Sequence, residues 1–88
     1  LSQNFPNPFN PATSIEFYLP QAEHAVLEIY NMLGQRVNTL VDENVAAGYK
    51  SVVWEGQDYS GKAVSSGIYF YRLSTETKEI IKRMLLIK

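Results

Sequence analysis

Residues 14–19 read Ser-Ile-Glu-Phe-Tyr-Leu, so Ile15, Phe17 and Leu19 alternate with Ser14, Glu16 and Tyr18. A period of two places the first set on one face of an extended strand and the second on the other. The rhythm returns along the chain. In 25–31, Leu27 and Ile29 oppose Glu28 and Tyr30; in 49–55, Val52 and Trp54 oppose Tyr49, Ser51 and Val53. In 66–74, Tyr69, Tyr71 and Leu73 alternate with Ile68, Phe70 and Arg72. Two further runs, 36–41 and 79–88, complete the set, the last with apolar residues on both faces (Ile80, Ile81, Met84, Leu85, Leu86, Ile87). Turn signals separate them at about 8–12 residue spacing: Pro20, Met32-Leu33-Gly34-Gln35, a polar connection over 42–48, a loop over 56–62 and a polar turn over 75–78. The spacing predicts an all-β sandwich of six or seven antiparallel strands, with 25–31 and 36–41 forming a hairpin. A helix over 31–41 is opposed by Gly34 and the β-branched residues around it. The final run is expected to continue as a strand to Lys88.

Ahead of this body stands Asn4-Phe5-Pro6-Asn7-Pro8-Phe9-Asn10-Pro11. Its prolines lack an amide donor and fix φ, so it is neither helix nor central strand. Residues before proline are pushed to extended geometry, and the asparagines suit turns. Two phenylalanines inside such a stiff strip predict a strap docked on the domain, pinned by Phe5 and Phe9. The chain therefore divides into a Pro/Asn-rich strap, 1–13, and a sandwich, 14–88. Trp54 is expected to anchor its core.

With 88 residues, 45% of them hydrophobic, the composition suits one folded domain and not a disordered segment. A net charge of -1 argues against nucleic acid as a partner. Nothing approaches the run of about 20 apolar residues that spans a bilayer, so stable membrane insertion is not expected. The absence of cysteine excludes disulfides and thiolate metal sites. The opening Leu1-Ser2-Gln3, without methionine, suggests a module cut from a longer protein.

Catalytic chemistry is hard to place. His24 is the sole histidine and is read as an exposed turn residue without catalytic partners. The carboxylates Asp42, Glu43, Glu55 and Asp58 are scattered. Asp58 is expected to cap its own turn instead of holding calcium, which takes six to eight oxygen ligands. No enzyme activity, cofactor or metal is expected. Tyr18, Tyr30, Tyr49 and Tyr59 leave open a sugar-stacking platform, whereas Trp54, Tyr69 and Tyr71 point inward. Lys82, Arg83 and Lys88, near Lys78, form a basic cluster on the last strand. Edge protection and a recognition handle both fit it.

Four blocks, taken together, resemble one family. They are Asn4 to Pro11 with Thr13 and Ile15; Leu27-Glu28-Ile29-Tyr30-Asn31-Met32-Leu33-Gly34-Gln35-Arg36-Val37; Gly67-Ile68-Tyr69-Phe70-Tyr71-Arg72-Leu73; and Lys82-Arg83-Met84-Leu85-Leu86-Ile87-Lys88. In this order they resemble the type A C-terminal sorting domain of the type IX secretion system. The middle, Gly48 to Asp58 around Trp54, is similar to the Ig-like domain of flagellar hook-capping proteins. Asn31 and Glu55 stand where such sorting domains often carry Asp. The resemblance implies an Ig-like sandwich and a non-catalytic export label. A larger cargo on its N-terminal side would be carried through the periplasm and an outer-membrane translocon, to be secreted or attached to the surface by a sortase-like enzyme. By matched position it implies recognition roles for Gly67, Tyr69 and Tyr71 and for Lys82, Arg83, Met84, Leu85, Leu86, Ile87 and Lys88. A terminal edge strand of this kind is expected to be read by β-augmentation.

Overall fold

A computed structural model describes residues 1–88. It contains six strands: β1 Thr13–Leu19, β2 Glu23–Asn31, β3 Arg36–Val45, β4 Gly48–Trp54, β5 Gly67–Thr75 and β6 Glu79–Leu86. All pairings are antiparallel, and they build a two-stranded sheet, β1-β4, facing a four-stranded sheet in the order β3-β2-β5-β6. The fold is an all-β, Ig-like sandwich.

The alternation decides which side chains fill it. Ile15, Phe17 and Leu19 of β1, Leu27 and Ile29 of β2, and Tyr69, Tyr71 and Leu73 of β5 are all buried in one cluster. Trp54, at the end of β4, is 1% exposed and lies against Phe9 and Tyr69, with ring centroids 5.8 and 5.3 Å away. Its indole Nε1 donates to the Gln57 carbonyl at 2.9 Å, so the one polar atom of the ring is satisfied at the core's edge.

Three boundaries differ from the sequence reading. β3 runs on through Asp42, Glu43 and Asn44, which pair with Val26, Ala25 and His24. An edge strand needs only backbone partners on one side, so polar side chains are tolerated on it. By the same pairing His24 lies within β2, not in a turn. At the other end β6 stops at Leu86. Ile87 and Lys88 leave the ladder and are held by other bonds: Ile87 N–H donates to the Phe9 carbonyl at 2.9 Å, and Lys88 N–H to Ser66 Oγ at 3.1 Å.

The Asn31 side chain holds the β2–β3 turn. Its Oδ1 accepts the amides of Leu33 and Gln35 at 2.9 and 3.0 Å, which a carboxylate would also do. Gly34 sits at φ +79°, where a side chain would be strained.

Trp54→Ala is expected to cost about 3–5 kcal/mol, measured by urea unfolding. A loss below about 1 kcal/mol would be incompatible with a tryptophan buried in the core.

Candidate functional site

The two sheets differ in width, and the strap fits the mismatch. Ser2 and Phe5 bond to Glu16 and Ser14 of β1: Ser2 N–H to the Glu16 carbonyl at 2.9 Å, then Phe5 and Ser14 reciprocally at 2.9 and 2.8 Å. Four residues later the same chain reaches the other sheet. Phe9 N–H donates to the Leu85 carbonyl at 3.0 Å and its carbonyl accepts from Ile87, a parallel bridge to β6. The prolines between these contacts cannot donate, and side chains of the strap add further bonds to β6. Asn7 Oδ1 accepts Leu85 N–H at 3.0 Å, and Gln3 Nε2 donates to the Arg83 carbonyl at 2.8 Å. One strap thus closes the seam between β1 and β6.

A buried polar knot holds it there. The Tyr71 side chain is buried, and its hydroxyl accepts Asn4 N–H and donates to the Ser2 carbonyl, both at 2.8 Å. Burial pushes the phenol upward, partly opposed by the Asn4 amide. Asn4 Nδ2 donates to Thr13 Oγ1 at 3.0 Å and to the Pro6 carbonyl at 3.1 Å, while Thr13 Oγ1 donates to that same carbonyl at 2.9 Å. Phe9 is buried as expected. Phe5, expected to be the second peg, is instead 78% exposed. Its bridge partner Ser14 faces outward, so Phe5 does too, and Asn4 takes the anchoring role.

The residues singled out from the sequence separate cleanly. Tyr69, Tyr71, Met84 and Leu86 lie in the core, and Gly67 opens β5 at φ +150°. Lys82 is half-buried; Arg83, Leu85, Ile87 and Lys88 are exposed. Of the residues for which the resemblance implies recognition, only Arg83, Leu85, Ile87 and Lys88 are therefore exposed, with the buried members shaping the strand beneath them. The β6 edge along Arg83, Leu85 and Ile87 is not open to an added strand: the strap already bonds to the Leu85 amide, to the Arg83 and Leu85 carbonyls and to the Ile87 amide.

Sequence reasoning missed a charged network on the outer face of the larger sheet. Glu28 is buried beneath Arg36 (2.8 Å), Arg72 (3.0 Å) and the Tyr30 hydroxyl (3.0 Å). Arg72 also lies over the Tyr30 ring, 5.3 Å from its centroid. Burial alone would raise the Glu28 carboxyl, but bonds from Arg36, Tyr30 and Arg72 outweigh it and hold it below its usual 4.5. Only the cross-strand register Glu28↔Arg72, set by folding, signals this pair.

Elsewhere the chemistry is local. Asp58 Oδ1 accepts the Ser60 hydroxyl (2.7 Å) and the Ser60 and Lys62 amides (2.9 and 3.1 Å), bonds that lower its carboxyl and cap its own turn. His24 is exposed but has partners after all, Asp42 at 2.7 Å and Asn44 at 3.3 Å; the Asp42 bond raises its imidazole. No group of three or more His, Cys, Asp or Glu side chains gathers in a geometry that would hold a metal ion. The four tyrosines do not form one platform. Tyr18 and Tyr49 pair on the smaller sheet at 4.9 Å, Tyr30 sits over Glu28 on the larger one, and Tyr59 bonds Thr39 at 2.6 Å.

The chain matches the family model of the FlgD Ig-like domain over residues 7–79. Among solved structures it is similar to FlgD from P. aeruginosa, with 26% identity and a TM-score of 0.66, covering 84% of this chain and 60% of that one. It also superposes on dimeric latent PorU from Porphyromonas gingivalis (21% identity, TM-score 0.79, 97% of this chain and 9% of that one). PorZ of the same organism, a surface component of its type IX secretion system, gives 18% identity and a TM-score of 0.67, over 98% and 11% of the two chains. The likeness to PorU and PorZ is one of fold, and this chain spans only a small part of either. No curated protein sequence matches it.

Tyr71→Phe removes the hydroxyl and leaves a buried amide unpaired, so a loss of about 1–3 kcal/mol is expected, with faster amide exchange at Asn4. Glu28 makes a pH prediction. Its native carboxyl is lowered, so its contribution is present above about pH 4.5 and is lost as the pH falls through the depressed native value. Urea unfolding of Glu28→Gln should therefore weaken less steeply than the parent between about pH 5 and pH 3. Parallel slopes would refute it.

Proposed function

The chain belongs to the FlgD Ig-like domain family, and from that premise we propose that it is a non-catalytic sorting domain of the type IX secretion system. In this reading it ends a larger cargo protein and directs it across the periplasm and through the outer-membrane translocon. Its partners are that machinery and a sortase-like enzyme, and the cargo's destination is the medium or the cell surface.

One observation carries the reading. The four blocks that resemble type A sorting domains are spread along the chain from Asn4 to Lys88, yet they are consecutive neighbours in space: strap, β6, β5, then β2 with its turn into β3. A resemblance made of unrelated local motifs would scatter over the surface; this one describes a single side of the sandwich. The fold likeness to PorU and PorZ supports the same reading. The lack of cysteine also suits it, because a core held by Trp54, Phe9 and Tyr71 folds without disulfide formation in an oxidising compartment.

A reporter carrying a signal peptide and ending in this domain tests the proposal. It is expected to leave a host with an intact type IX translocon and to accumulate in the periplasm of a host lacking it. Equal retention in both hosts would overturn the proposal and leave a structural Ig-like module as the better description.

A further inference from the structure

An antiparallel sheet with one face on the core normally carries polar residues on the other. Here the outer face of the larger sheet departs from that rule. The register pairs Ile68 with Leu85, Phe70 with Arg83, and Arg72 with Ile81, and Tyr30 lies beside Phe70, so these side chains share one surface. Ile81 is 56% and Leu85 38% exposed, and Met32 and Leu33 stand out from the turn at the same end. Two open grooves cross the face. One, of about 360 Å³, runs between Pro8 of the strap and Ile68 and Leu85. The other, of about 370 Å³, lies between Tyr30, Met32, Phe70 and Ile81.

The charges on this face are unevenly matched. Arg36 and Arg72 both bond Glu28, and Arg72 also reaches Glu79 at 3.8 Å. Arg83 makes no ion pair, although it is the cation set among Phe70, Ile68 and Leu85. Glu28 and Glu79 are engaged by Arg36 and Arg72, Asp42 further along the face is engaged by His24, and Arg83 is left without a carboxylate partner between Ile81 and Leu85 on β6. Arginine ringed by aromatic and aliphatic side chains is the usual make-up of an energetic centre in a protein interface. A second copy of this chain is a poor occupant, because docking this face on itself brings two such cations together.

We propose that this face docks a protein of the export machinery, through an apolar patch on that protein carrying an Asp or Glu side chain opposite Arg83. The inference rests on the sorting reading and names the surface and the partner chemistry within it. It also assigns the terminal block a mode of contact other than strand addition: side chains on the sheet face, with the backbone edge already closed by the strap.

Export of the reporter fusion tests it, with each variant first shown to unfold at the parent's temperature. Ile81→Asp and Arg83→Glu should lower export about tenfold or more, while Arg83→Lys, which keeps the charge, should stay within about threefold. Val53→Asp, on the exposed face of the smaller sheet, should leave export unchanged. If the parent domain is exported and Ile81→Asp and Arg83→Glu are exported equally well, the face is not the contact and this inference fails alone. If the parent itself is not exported, the sorting reading fails and takes this one with it. A benzophenone side chain at position 81 should crosslink, in exporting cells, to a translocon segment containing Asp or Glu, and the adduct should vanish with Arg83→Glu. An adduct to a second copy of this domain, or to a segment without an acidic residue, would overturn the proposed partner chemistry.

Discussion

The contact on which this sandwich depends is the hydroxyl of Tyr71. It lies at the end of a fully buried ring and makes two hydrogen bonds, to the Asn4 amide and the Ser2 carbonyl, and those two fix the strap on the seam. Without a partner there, a buried phenol and a buried amide would each carry a desolvation cost. With it, Phe9 is positioned to fill the space beside Trp54, and the backbone of Leu85 and Ile87 gains the bonds an edge strand otherwise lacks. The two-stranded sheet is too narrow to cover a four-stranded one unaided. The strap extends it and joins the larger sheet at its far edge, so a chain of 88 residues without disulfides keeps a continuous core.

This arrangement divides the C-terminal block between two tasks. Met84 and Leu86 point inward and hold the strand in place; Arg83, Leu85 and Ile87 point out and are available. The same division runs through β5, where Tyr69, Tyr71 and Leu73 serve the core while Ile68, Phe70 and Arg72 form the outer surface. A motif that looks uniform in sequence is thus half scaffold and half surface. A substitution within it changes stability or contact according to the parity of its position.

Much of this was legible beforehand, and for a simple reason. Period-two burial is written directly into Ile15, Phe17 and Leu19 and into Tyr69, Tyr71 and Leu73, so the strands and their inner faces follow from the residues alone. What was hidden depends on pairing between distant segments. Phe5 and Phe9 look equivalent in the strap, but Phe5 bridges outward-facing Ser14 and Phe9 bridges inward-facing Leu86, and each takes the side of its partner. The continuation of β3 through Asp42 and Glu43 was masked because their polarity suits an edge as well as a loop. Glu28 reads as an ordinary outward acid until β5 delivers Arg72 beside it.

The bridge from Phe9 to Leu86 also orders events in time. The hairpins β2–β3 and β5–β6 join neighbouring segments, whereas the strap meets a partner at nearly the opposite end of the chain. Closing so long a loop sacrifices chain entropy before any contact rewards it, so local pairings form early and the strap docks late. Until it docks, the seam beside Trp54 stays open and the backbone of Leu85 and Ile87 is bare. The domain therefore finishes folding only once the strap has found β6, and the docked strap is the mark of a sandwich whose two sheets have been joined.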